Sequence, residues 1–503
     1  MIPAPALFWF RRDLRLADNP GLAAAAAGGR PIIPVFIHDP EHDRSGGALR
    51  WWLHHSLAAL GKSLRDRGSR LIIRQGDAAE LVPRLAEETG AEAVYCNRLE
   101  EPWAMKQQAR IETRLKADGR AFVAGNAALL FETGSITSQA GTPFRVFTPF
   151  WRACLQETPP SLPLDAPERL PPVDEAITSD DLYLLPTKPD WAGGLREAWT
   201  PGEGEAQATL ERFIEDRLEG YSAERDLPAE AGTSQLSPYL RFGEIGPRQV
   251  FHAIRNNAPP SHDSDRFLAE LGWREFSYHL LAQFPDLPTR PLRSEFARFP
   301  WRDDPDGLAA WQRGNTGIPL IDAGMRELWT TGWMHNRVRM AAASFLVKNL
   351  LIPWQSGAAW FWDTLVDGDL ANNSASWQWV AGCGADAAPY FRIFNPVLQG
   401  EKFDPKGNYV RRWCPELADL PNRYVHKPWE AGRAKPIVDL AGSRKRALGA
   451  FASLDRNTKM LRSILPLAIG LACLSLSPAH AAQKGDRQAD RAVITQGENA
   501  LSQ

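Results

Sequence analysis

The chain has 503 residues, with 58 Lys plus Arg against 60 Asp plus Glu, and a hydrophobic fraction of 44%. These values are typical of a soluble globular protein with two or three domains. The formal charge of -2 provides no overall attraction to polyanions, so any contact with nucleic acid must come from a local basic patch.

Cysteine usage argues against both a disulfide framework and a structural zinc site. The five cysteines are scattered, without C-x-x-C or His-rich spacing: Cys96, Cys154, Cys383, Cys414 and Cys473. This usage fits a reducing cytosol. Met1–Ala6 leads directly into an apolar run, so no N-terminal secretion signal is visible, and we expect a cytoplasmic protein.

Short apolar runs alternate with amphipathic stretches up to about residue 130. The runs predict strands at Ala6–Phe10, Pro31–His38, Arg70–Arg74, Ala93–Asn97 and Ala121–Gly125, with helices at Leu49–Arg67, Ala78–Glu88 and Met105–Asp118 between them. Strands and helices at this spacing predict an α/β domain over 1–130, with a parallel sheet covered by helices on both faces. No G-x-G-x-x-G follows any of these strands, so the usual dinucleotide fingerprint is missing.

Residues 131–200 are rich in proline and show little periodicity, which predicts a long connector on the surface of both domains. Helical spacing dominates after Pro201. Gly204–Leu218 is amphipathic, and after Asn336 one apolar face is formed by Val338, Ala342, Phe345, Leu346 and Leu350. We therefore predict a mostly α-helical domain over 201–450.

The remaining residues, 451–503, form an atypical tail. Within it Met460–Ala482 has the three-part layout of a secretory signal peptide, with an apolar run over Ile464–Leu476. That run of 13 residues is too short to span a bilayer. We interpret the segment as a read-through or fusion scar in preference to a C-terminal amphipathic anchor.

A polar cluster follows Leu365 and comprises Asp367, Gly368, Asp369, Asn372 and Asn373. Carboxylates and amides at this spacing suit a polyhydroxylated or imide-bearing ligand. A calcium loop would need a glycine at its sixth position, where this chain has Asn372. Taken alone, the segment is equally consistent with a turn that caps a helix.

Two further segments place polar groups on helix faces. On one helix Trp333, Asn336, Arg337 and Met340 would share a face, while Arg339 would point to another side, where it could pair with a buried carboxylate such as Asp367. Such a stripe is more often core, but an Asn and two Arg are costly to bury without partners. Glu270, Trp273 and Arg274 repeat the spacing. Thr233–Ser237 offers either phosphate ligands or a plain helix cap.

In the same order along the chain, eight segments resemble the photolyase/cryptochrome family, and more particularly bacterial cyclobutane pyrimidine dimer photolyases. They are WFRRDLRLADN at Trp9, YSAERDLP at Tyr221, TSQLSPYL at Thr233, WREF at Trp273, GNTGIPLIDAGMREL at Gly314, GWMHNRVRM at Gly332, LVDGDLANN at Leu365 and DAAPYFRIFNPVLQGEKFD at Asp386. The resemblance runs from about Leu7 to Ala450. It implies a Rossmann-like α/β N-terminal antenna domain and an all-α FAD-binding catalytic domain.

The resemblance also implies which residues hold FAD in a U shape. The phosphates would lie at Tyr221, Thr233, Ser234, Gln235, Leu236 and Ser237, and the ribose and flavin ring near Asp367, Gly368 and Asp369, with Arg339 paired to Asp367. Asn373 falls beside flavin N5. An amide there is typical of photolyases, whereas plant-type cryptochromes carry Asp and many animal ones Cys.

For the substrate, the resemblance implies a pyrimidine dimer flipped out of UV-damaged DNA into a pocket, at a few kcal/mol. Trp273 and Trp379 would supply its walls, Met340 would pack on the dimer, and Glu270 and Asn336 would bind its polar edges. Arg225, Arg337 and Gln399 would lie at the mouth. The local basic face would add Arg392, Lys402, Lys406, Arg411 and Arg412.

The implied mechanism is light-driven electron donation from reduced FAD to the dimer, with catalytic roles for Glu270, Asn336 and Asn373. It needs no metal and no protein partner, and we expect a monomer that joins the nucleoid when bound to damage. Trp377, Trp354 and Trp301 match the family's electron-transfer chain from flavin to surface, the alternative being structural packing.

The implied antenna is methenyltetrahydrofolate, because KPDWAGGLREAWTPGE and Phe144–Trp151 resemble a folate-binding branch close to plant cryptochromes. In another branch an Asn-Glu pair holds the folate, but Trp103 and Ala104 stand at those positions here. Glu100 and Glu101 are alternatives for holding it, although an ordinary solvated pair is the simpler interpretation.

Three other functions stay open. A signalling cryptochrome would share fold and flavin, but Asn373 argues against it. A (6-4) photolyase would need a His pair at the pocket, where only His335 is near. A light-independent flavoprotein oxidoreductase would need a nicotinamide site, for which no motif is present.

Overall fold

The computed structural model describes residues 4–40, 44–257, 259–387 and 391–454. Met1–Ala452 forms one compact unit. The signal-peptide-like segment Met460–Ala482 and Cys473 lie outside the described residues, so their interpretation stays a prediction. The domain boundaries predicted inside the compact unit also stay predictions.

The N-terminal lobe is built on five parallel strands in the order β3-β2-β1-β4-β5, which confirms the predicted α/β sheet. The strands are β1 (Ala6–Phe10), β2 (Ile32–His38), β3 (Ile72–Gln75), β4 (Ala93–Asn97) and β5 (Ala121–Gly125). Helices α1 (Pro20–Ala27), α2 (Gly47–Arg65), α3 (Ala78–Glu88) and α4 (Pro102–Ala117) connect them. Since side chains alternate along a strand, Phe8 and Phe10 of β1 pack in one core and Leu7 and Trp9 in another.

The C-terminal lobe is helical, as predicted. Its helices are α7 (Glu203–Asp216), α8 (Tyr221–Glu224), α9 (Ser237–Phe242), α10 (Pro247–Asn257), α11 (His262–Gln283), α12 (Pro305–Gln312), α13 (Pro319–Thr331), α14 (Asn336–Ser344), α15 (Trp354–Thr364), α16 (Leu370–Ala381), α17 (Pro396–Phe403), α18 (Asn408–Trp413) and α19 (Asn422–Val425). A π-helical turn, Phe345–Leu350, extends α14, and 3₁₀ turns occur at Ser294–Arg298, Pro415–Leu417 and Pro428–Ala431. Residues 440–454 are also helical.

Two helices lie within the predicted connector, α5 (Phe147–Gln156) and α6 (Gly193–Ala198). The expectation of a surface connector is wrong for α5, because its apolar residues enter the core and Phe147 stacks on Trp273 with ring centroids 3.8 Å apart. Phe150, Trp151 and Cys154 complete an i, i+3, i+4, i+7 pattern with Phe147 and are buried. The surrounding prolines obscured this short amphipathic signal.

The segment after β1 joins the two lobes and thereby positions α9. Leu14 N donates to Phe242 O at 3.2 Å, and Arg15 Nη1 donates to Gly243 O at 2.9 Å. A side chain at Gly243 would lie 2.1 Å from the carbonyl oxygen of Arg12, and its φ is +66°, so this close approach requires glycine. From α2, Trp52 packs edge-on against Tyr239 at 5.2 Å.

Within the described residues, no helix combines the length and the apolar character needed to cross a bilayer.

Candidate functional site

A cavity of about 320 Å³ opens between helices of the C-terminal lobe. It brings together most of the predicted cofactor residues: Tyr221, Thr233, Ser234, Gln235, Leu236, Ser237, Arg339, Asp367 and Asp369. Four predicted substrate residues also line it: Arg225, Glu270, Trp273 and Asn336. Segments far apart in sequence therefore meet in one polar, aromatic-walled site.

Asp367 is held by three donors at one end of the cavity. Arg339 donates to both carboxylate oxygens, at 3.1 and 2.9 Å, and Ser237 Oγ donates to Oδ2 at 2.7 Å. Met334 O accepts from Arg339 Nε at 2.6 Å and so fixes the guanidinium. The predicted Arg339–Asp367 pair is confirmed, and its two-point geometry orients the carboxylate as well as balancing its charge.

Asp369 is a second buried carboxylate at the start of α16. Its Oδ1 accepts from the backbone N and the Nδ2 of Asn372, both at 2.8 Å, so it is the N-cap of that helix. Burial opposes ionisation, but Arg241 and Arg274 together with the hydrogen bonds hold the pKa of Asp369 below its ordinary value. The cavity thus contains a fixed negative charge.

The segment Thr233–Ser237 turns sharply before α9. Gln235 has φ +55°, in the left-handed region, at a cost of about 1 kcal/mol for a residue other than glycine. The turn places the hydroxyl-bearing residues Thr233, Ser234 and Ser237 on the cavity wall.

Gly368 and Asn373, both predicted cofactor residues, are not among the described residues that line this cavity. Gly368 O accepts a hydrogen bond from Arg241 Nε. Asn373 Nδ2 donates to Ala358 O at 3.0 Å. Because only the NH₂ of the amide can donate to a carbonyl, this contact leaves Asn373 Oδ1 as the acceptor atom of the side chain.

Arg225 and Glu270 form an ion pair on the cavity wall. Arg225 was expected at the pocket mouth against DNA, yet it is only 9% exposed and lies over the Tyr221 ring at 5.4 Å. Its main contacts are internal because the Glu270 carboxylate and the aromatic face enclose it. Arg337 is likewise paired, with Asp226 Oδ2 at 2.5 Å.

Helix α14 begins later than predicted. His335 is its N-cap, accepting from Arg337 N at 3.1 Å, and the helix starts at Asn336. The expectation that Trp333 shares a helical face with Asn336 and Met340 is therefore wrong, although Trp333 still lines the cavity. Asn336 is exposed, with Nδ2 3.8 Å from Met340 Sδ. Burial lowers the pKa of His335 to about 4.

The remaining predicted DNA residues lie towards α17 and α18. Trp379 Nε1 donates to Asp386 O at 3.0 Å, Arg392 lies 5.7 Å from its ring, and Gln399 is half-buried on α17. The exposed cations are Arg392, Lys402, Lys406 and Arg412. Arg411 instead donates to Leu420 O at 2.6 Å, so it braces its own loop.

The three predicted electron-transfer tryptophans differ in exposure. Trp377 and Trp354 are buried, at 2% and 1% exposure, whereas Trp301 is partly exposed and packs 4.4 Å from Phe299. Trp377 on α16 lies against Gly357 of α15, the helix that begins at Trp354.

In the N-terminal lobe, Glu100 and Glu101 are buried, so the expectation of an ordinary solvated pair is wrong. Glu101 pairs with Arg12, and Glu100 accepts from Thr133 Oγ1 at 2.8 Å. A separate cavity of about 190 Å³ lies where the two lobes meet. Trp191, Trp329, Arg50 and Asp363 line it.

Sequence reasoning missed several residues of the main cavity. They are Leu240, Arg241, Phe267 and Leu271, with Arg274 noted only as part of a helical pattern. Arg241 lies one turn beyond Ser237 on α9, and Leu271 lies three residues before Arg274 on α11, so helical spacing from the named residues would have found them. Among the described residues no cluster of His, Cys, Asp or Glu is suited to hold a metal ion.

Comparison with known proteins identifies the family. Residues 6–170 match the DNA photolyase profile, and residues 267–453 match the FAD binding domain of DNA photolyase. The deoxyribodipyrimidine photo-lyase of Agrobacterium fabrum is 48% identical over 474 residues, spanning 90% of this chain and 99% of the relative. Cryptochrome-1 of Arabidopsis thaliana is 40% identical, over 87% of this chain and 66% of the relative. The crystal structure of a bacterial class III photolyase from Agrobacterium tumefaciens superposes with a TM-score of 0.88 at 47% identity, covering 91% of this chain and 98% of that one. The chain belongs to the photolyase/cryptochrome family.

Proposed function

We propose that this protein repairs cyclobutane pyrimidine dimers in UV-damaged DNA by light-driven electron transfer, with FAD held in the main cavity. One observation carries the proposal. The hydroxyl-bearing turn at Thr233–Ser237, the Arg339–Asp367 pair and Asp369 line a single cavity, in a chain that matches the FAD-binding domain of DNA photolyase.

The residues present fit FAD. Hydroxyls of Thr233, Ser234 and Ser237 suit its phosphates, and the carboxylates of Asp367 and Asp369 suit ribose hydroxyls and ring N–H groups. Apolar side chains suit the ring systems: Leu236, Leu240, Phe267 and Leu271. When bound in reduced form, FAD would supply the light-excited electron that opens the cyclobutane ring, and the electron would return to the flavin afterwards, with no net redox change.

The orientation of Asn373 favours a repair enzyme over a photoreceptor. Its NH₂ group donates to Ala358 O, so the amide oxygen remains as the acceptor of this side chain, which lies one residue beyond the cavity-lining Asn372. An acceptor oxygen suits the N–H of a reduced flavin, whereas a protonated carboxyl group could also donate.

For the substrate, Trp273 offers a flat wall that is fixed from behind by its stacking on Phe147. Glu270 and Asn336 add polar groups for the base edges, and Arg225 holds the Glu270 carboxylate in place. A damaged base pair is the least costly to extrude, so such a pocket selects the lesion.

The exposed cations near α17 and α18 suit the DNA backbone. Arg392, Lys402, Lys406 and Arg412 can release counterions from phosphates, which gives a near-neutral chain local affinity for DNA. The protein acts on this DNA as a monomer.

The antenna is methenyltetrahydrofolate, bound in the cavity where the lobes meet. Trp191 belongs to the segment that resembles folate-binding relatives, and its partly exposed ring lines that cavity together with Trp329. Asp363 and Arg50 offer an acceptor and a cation for a pterin ring and an acidic tail. Trp191→Ala should remove a folate absorption band that Trp103→Phe retains; the reverse pattern would move the antenna to the cavity that Trp103 lines at the carboxyl ends of the strands.

The decisive experiment mixes purified, reduced protein with a dimer-containing oligonucleotide. Blue light should restore intact pyrimidines, while darkness, or protein stripped of flavin, should not. Equal product in light and darkness, or no product in light, would overturn the proposal.

A further inference from the structure

The phenol of Tyr278 contacts the cavity carboxylate Asp369 from behind. Tyr278 lies on α11, one turn beyond Arg274, and its hydroxyl donates to Asp369 Oδ2 at 2.5 Å. Both residues are 6% exposed. Hydrogen bonds from a hydroxyl to a carboxylate are stronger than those between neutral groups, and more so when buried.

The two oxygens of Asp369 therefore have different partners. Oδ1 is fixed by Asn372 at the start of α16, and Oδ2 by Tyr278 on a separate helix. The Tyr278 ring is held in turn by the Arg274 guanidinium, 5.0 Å from its centroid. Tyr278 lines a small cavity on the side of the N-terminal lobe, whereas Asp369 faces the main cavity.

Charged groups surround this contact on several elements. Arg241 of α9 and Arg274 of α11 lie beside Asp369, and Arg12 and Glu101 of the N-terminal lobe lie near Tyr278. Burial and the neighbouring Asp369 charge raise the pKa of Tyr278 well above its ordinary value, so the phenol stays a donor. The hydroxyl is thus suited to stabilise an ionised Asp369.

We infer that Tyr278 is a positioning residue for the flavin, which keeps Asp369 ionised and oriented so that a negative charge stands beside the bound cofactor. A nearby negative charge disfavours the uptake of electrons, so it lowers the flavin midpoint potential and makes the reduced flavin a stronger donor. The inference rests on the FAD binding of the proposed function.

The test is Tyr278→Phe in the full-length, FAD-loaded protein, with the midpoint potential measured by spectroelectrochemistry between about pH 5 and about pH 9. Without the hydroxyl, the pKa of Asp369 rises, while Arg241 and Arg274 still favour its charge, so the loss of charge is confined to the acidic end of this range. At low pH we expect about a tenfold higher ratio of reduced to oxidised flavin than in wild type at the same ambient potential, with the difference vanishing at high pH.

Asp369→Asn provides the limit, since it removes the charge at every pH. It should raise the potential throughout the range, and adding Tyr278→Phe to it should change nothing further. Tyr239→Phe is the matched control, because that buried phenol donates to Thr200 O at 3.1 Å instead.

The outcomes separate this inference from the proposed function. If the wild-type protein takes up no FAD, the proposed function fails. If the wild-type protein is loaded with FAD and the flavin midpoint potential of Tyr278→Phe equals that of wild type at every pH, the role of Tyr278 is refuted. Loss of FAD from Tyr278→Phe alone would also overturn the inference, since the hydroxyl would then serve to build the site rather than to set its charge.

Discussion

Glu270 shares its carboxylate between two arginines, of which Arg225 lines the cavity. Arg225 pairs with it directly, and Arg266 lies 3.9 Å from the same oxygen. The pair leaves Glu270 31% exposed on its cavity side, so the carboxylate can meet an extruded base without losing its internal partner. A polar group held in place before the substrate arrives needs little reorganisation as charge develops.

We therefore expect Glu270→Ala to lower the repair quantum yield more than the affinity for damaged DNA. A contact that strengthens as charge moves onto the dimer acts on the reaction, whereas phosphate contacts dominate binding. Single-turnover repair and a binding titration measure the two effects. Asp265→Ala, at the exposed start of the same helix, should change neither. An unchanged yield in Glu270→Ala would refute the role.

Which residues line the site could be predicted from the recognised segments of the sequence, but the partners that these residues contact could be predicted only in part. Arg339 and Asp367 were expected to pair because a buried guanidinium needs a carboxylate and because the family resemblance implies this pair. Tyr278 and Asp369 lie on different helices with no shared spacing, so their contact depends on how α11 and α16 pack. Arg225 was assigned to DNA because sequence does not reveal its enclosure by Glu270 and Tyr221.

Close packing of α15 on α16 depends on a glycine. A Cβ at Gly357 would lie 2.1 Å from Trp377 Cη2 and 2.7 Å from Leu346 Cδ2. We expect Gly357→Ala to destabilise the protein by about 1–3 kcal/mol through overpacking, measured by urea unfolding. Gly61→Ala in α2 meets nothing nearer than Arg65 Nη1 at 3.4 Å and should stabilise by about 0.5–1 kcal/mol. Equal changes in stability for the two variants would show that the effect of Gly357→Ala comes from helix propensity and not from the contact between α15 and α16.

The same helix pair carries two of the electron-transfer tryptophans. Trp377→Phe should abolish photoreduction of oxidised FAD while leaving repair by pre-reduced protein intact, because phenylalanine is far harder to oxidise. Absorption changes under blue light measure the first, and product formation the second. Trp311→Phe is a matched control, since Trp311 is buried 6.2 Å from Trp377 but lies off the predicted chain. If photoreduction persists in Trp377→Phe but is lost in Trp311→Phe, the electron-transfer path runs through Trp311 and not through Trp377.

Elements with strong periodicity could be predicted closely. The central strands β2, β1 and β4 are buried almost throughout and therefore are continuous apolar runs, and the less buried β3 and β5 are still short apolar runs, so all five were found. The start of α14 was misplaced because Trp333 fits the helical period, while the His335 cap sets the boundary. Helix α5 was missed among prolines, and its burial depends on Trp273, more than a hundred residues later in the chain.

At the scale of the whole molecule, one buried carboxylate lies where the lobes meet. Glu244 accepts from Trp52 Nε1 at 2.9 Å and Ser56 Oγ at 2.6 Å, both on α2. It is 1% exposed, and burial raises its pKa to about 8. Burial also raises the pKa of Glu275 and of Glu327 to about 7. Of these three groups, Glu244 joins the two lobes, through its hydrogen bonds to α2, and its carboxyl group stays protonated in the folded state up to about pH 8.

These carboxyl groups make stability fall as pH rises. The unfolded Glu244 titrates near pH 4.3 and the folded one near 8, so the native state binds the extra proton across this window and loses that advantage towards pH 8. Glu244→Gln removes one such group. The free energy of unfolding of the variant minus that of wild type should therefore increase by on the order of 3 kcal/mol from about pH 5 to about pH 8.5. Urea unfolding at each pH measures this difference. The exposed Glu219→Gln should follow wild type, and a Glu244→Gln profile parallel to wild type would contradict a proton held by Glu244 in the folded state.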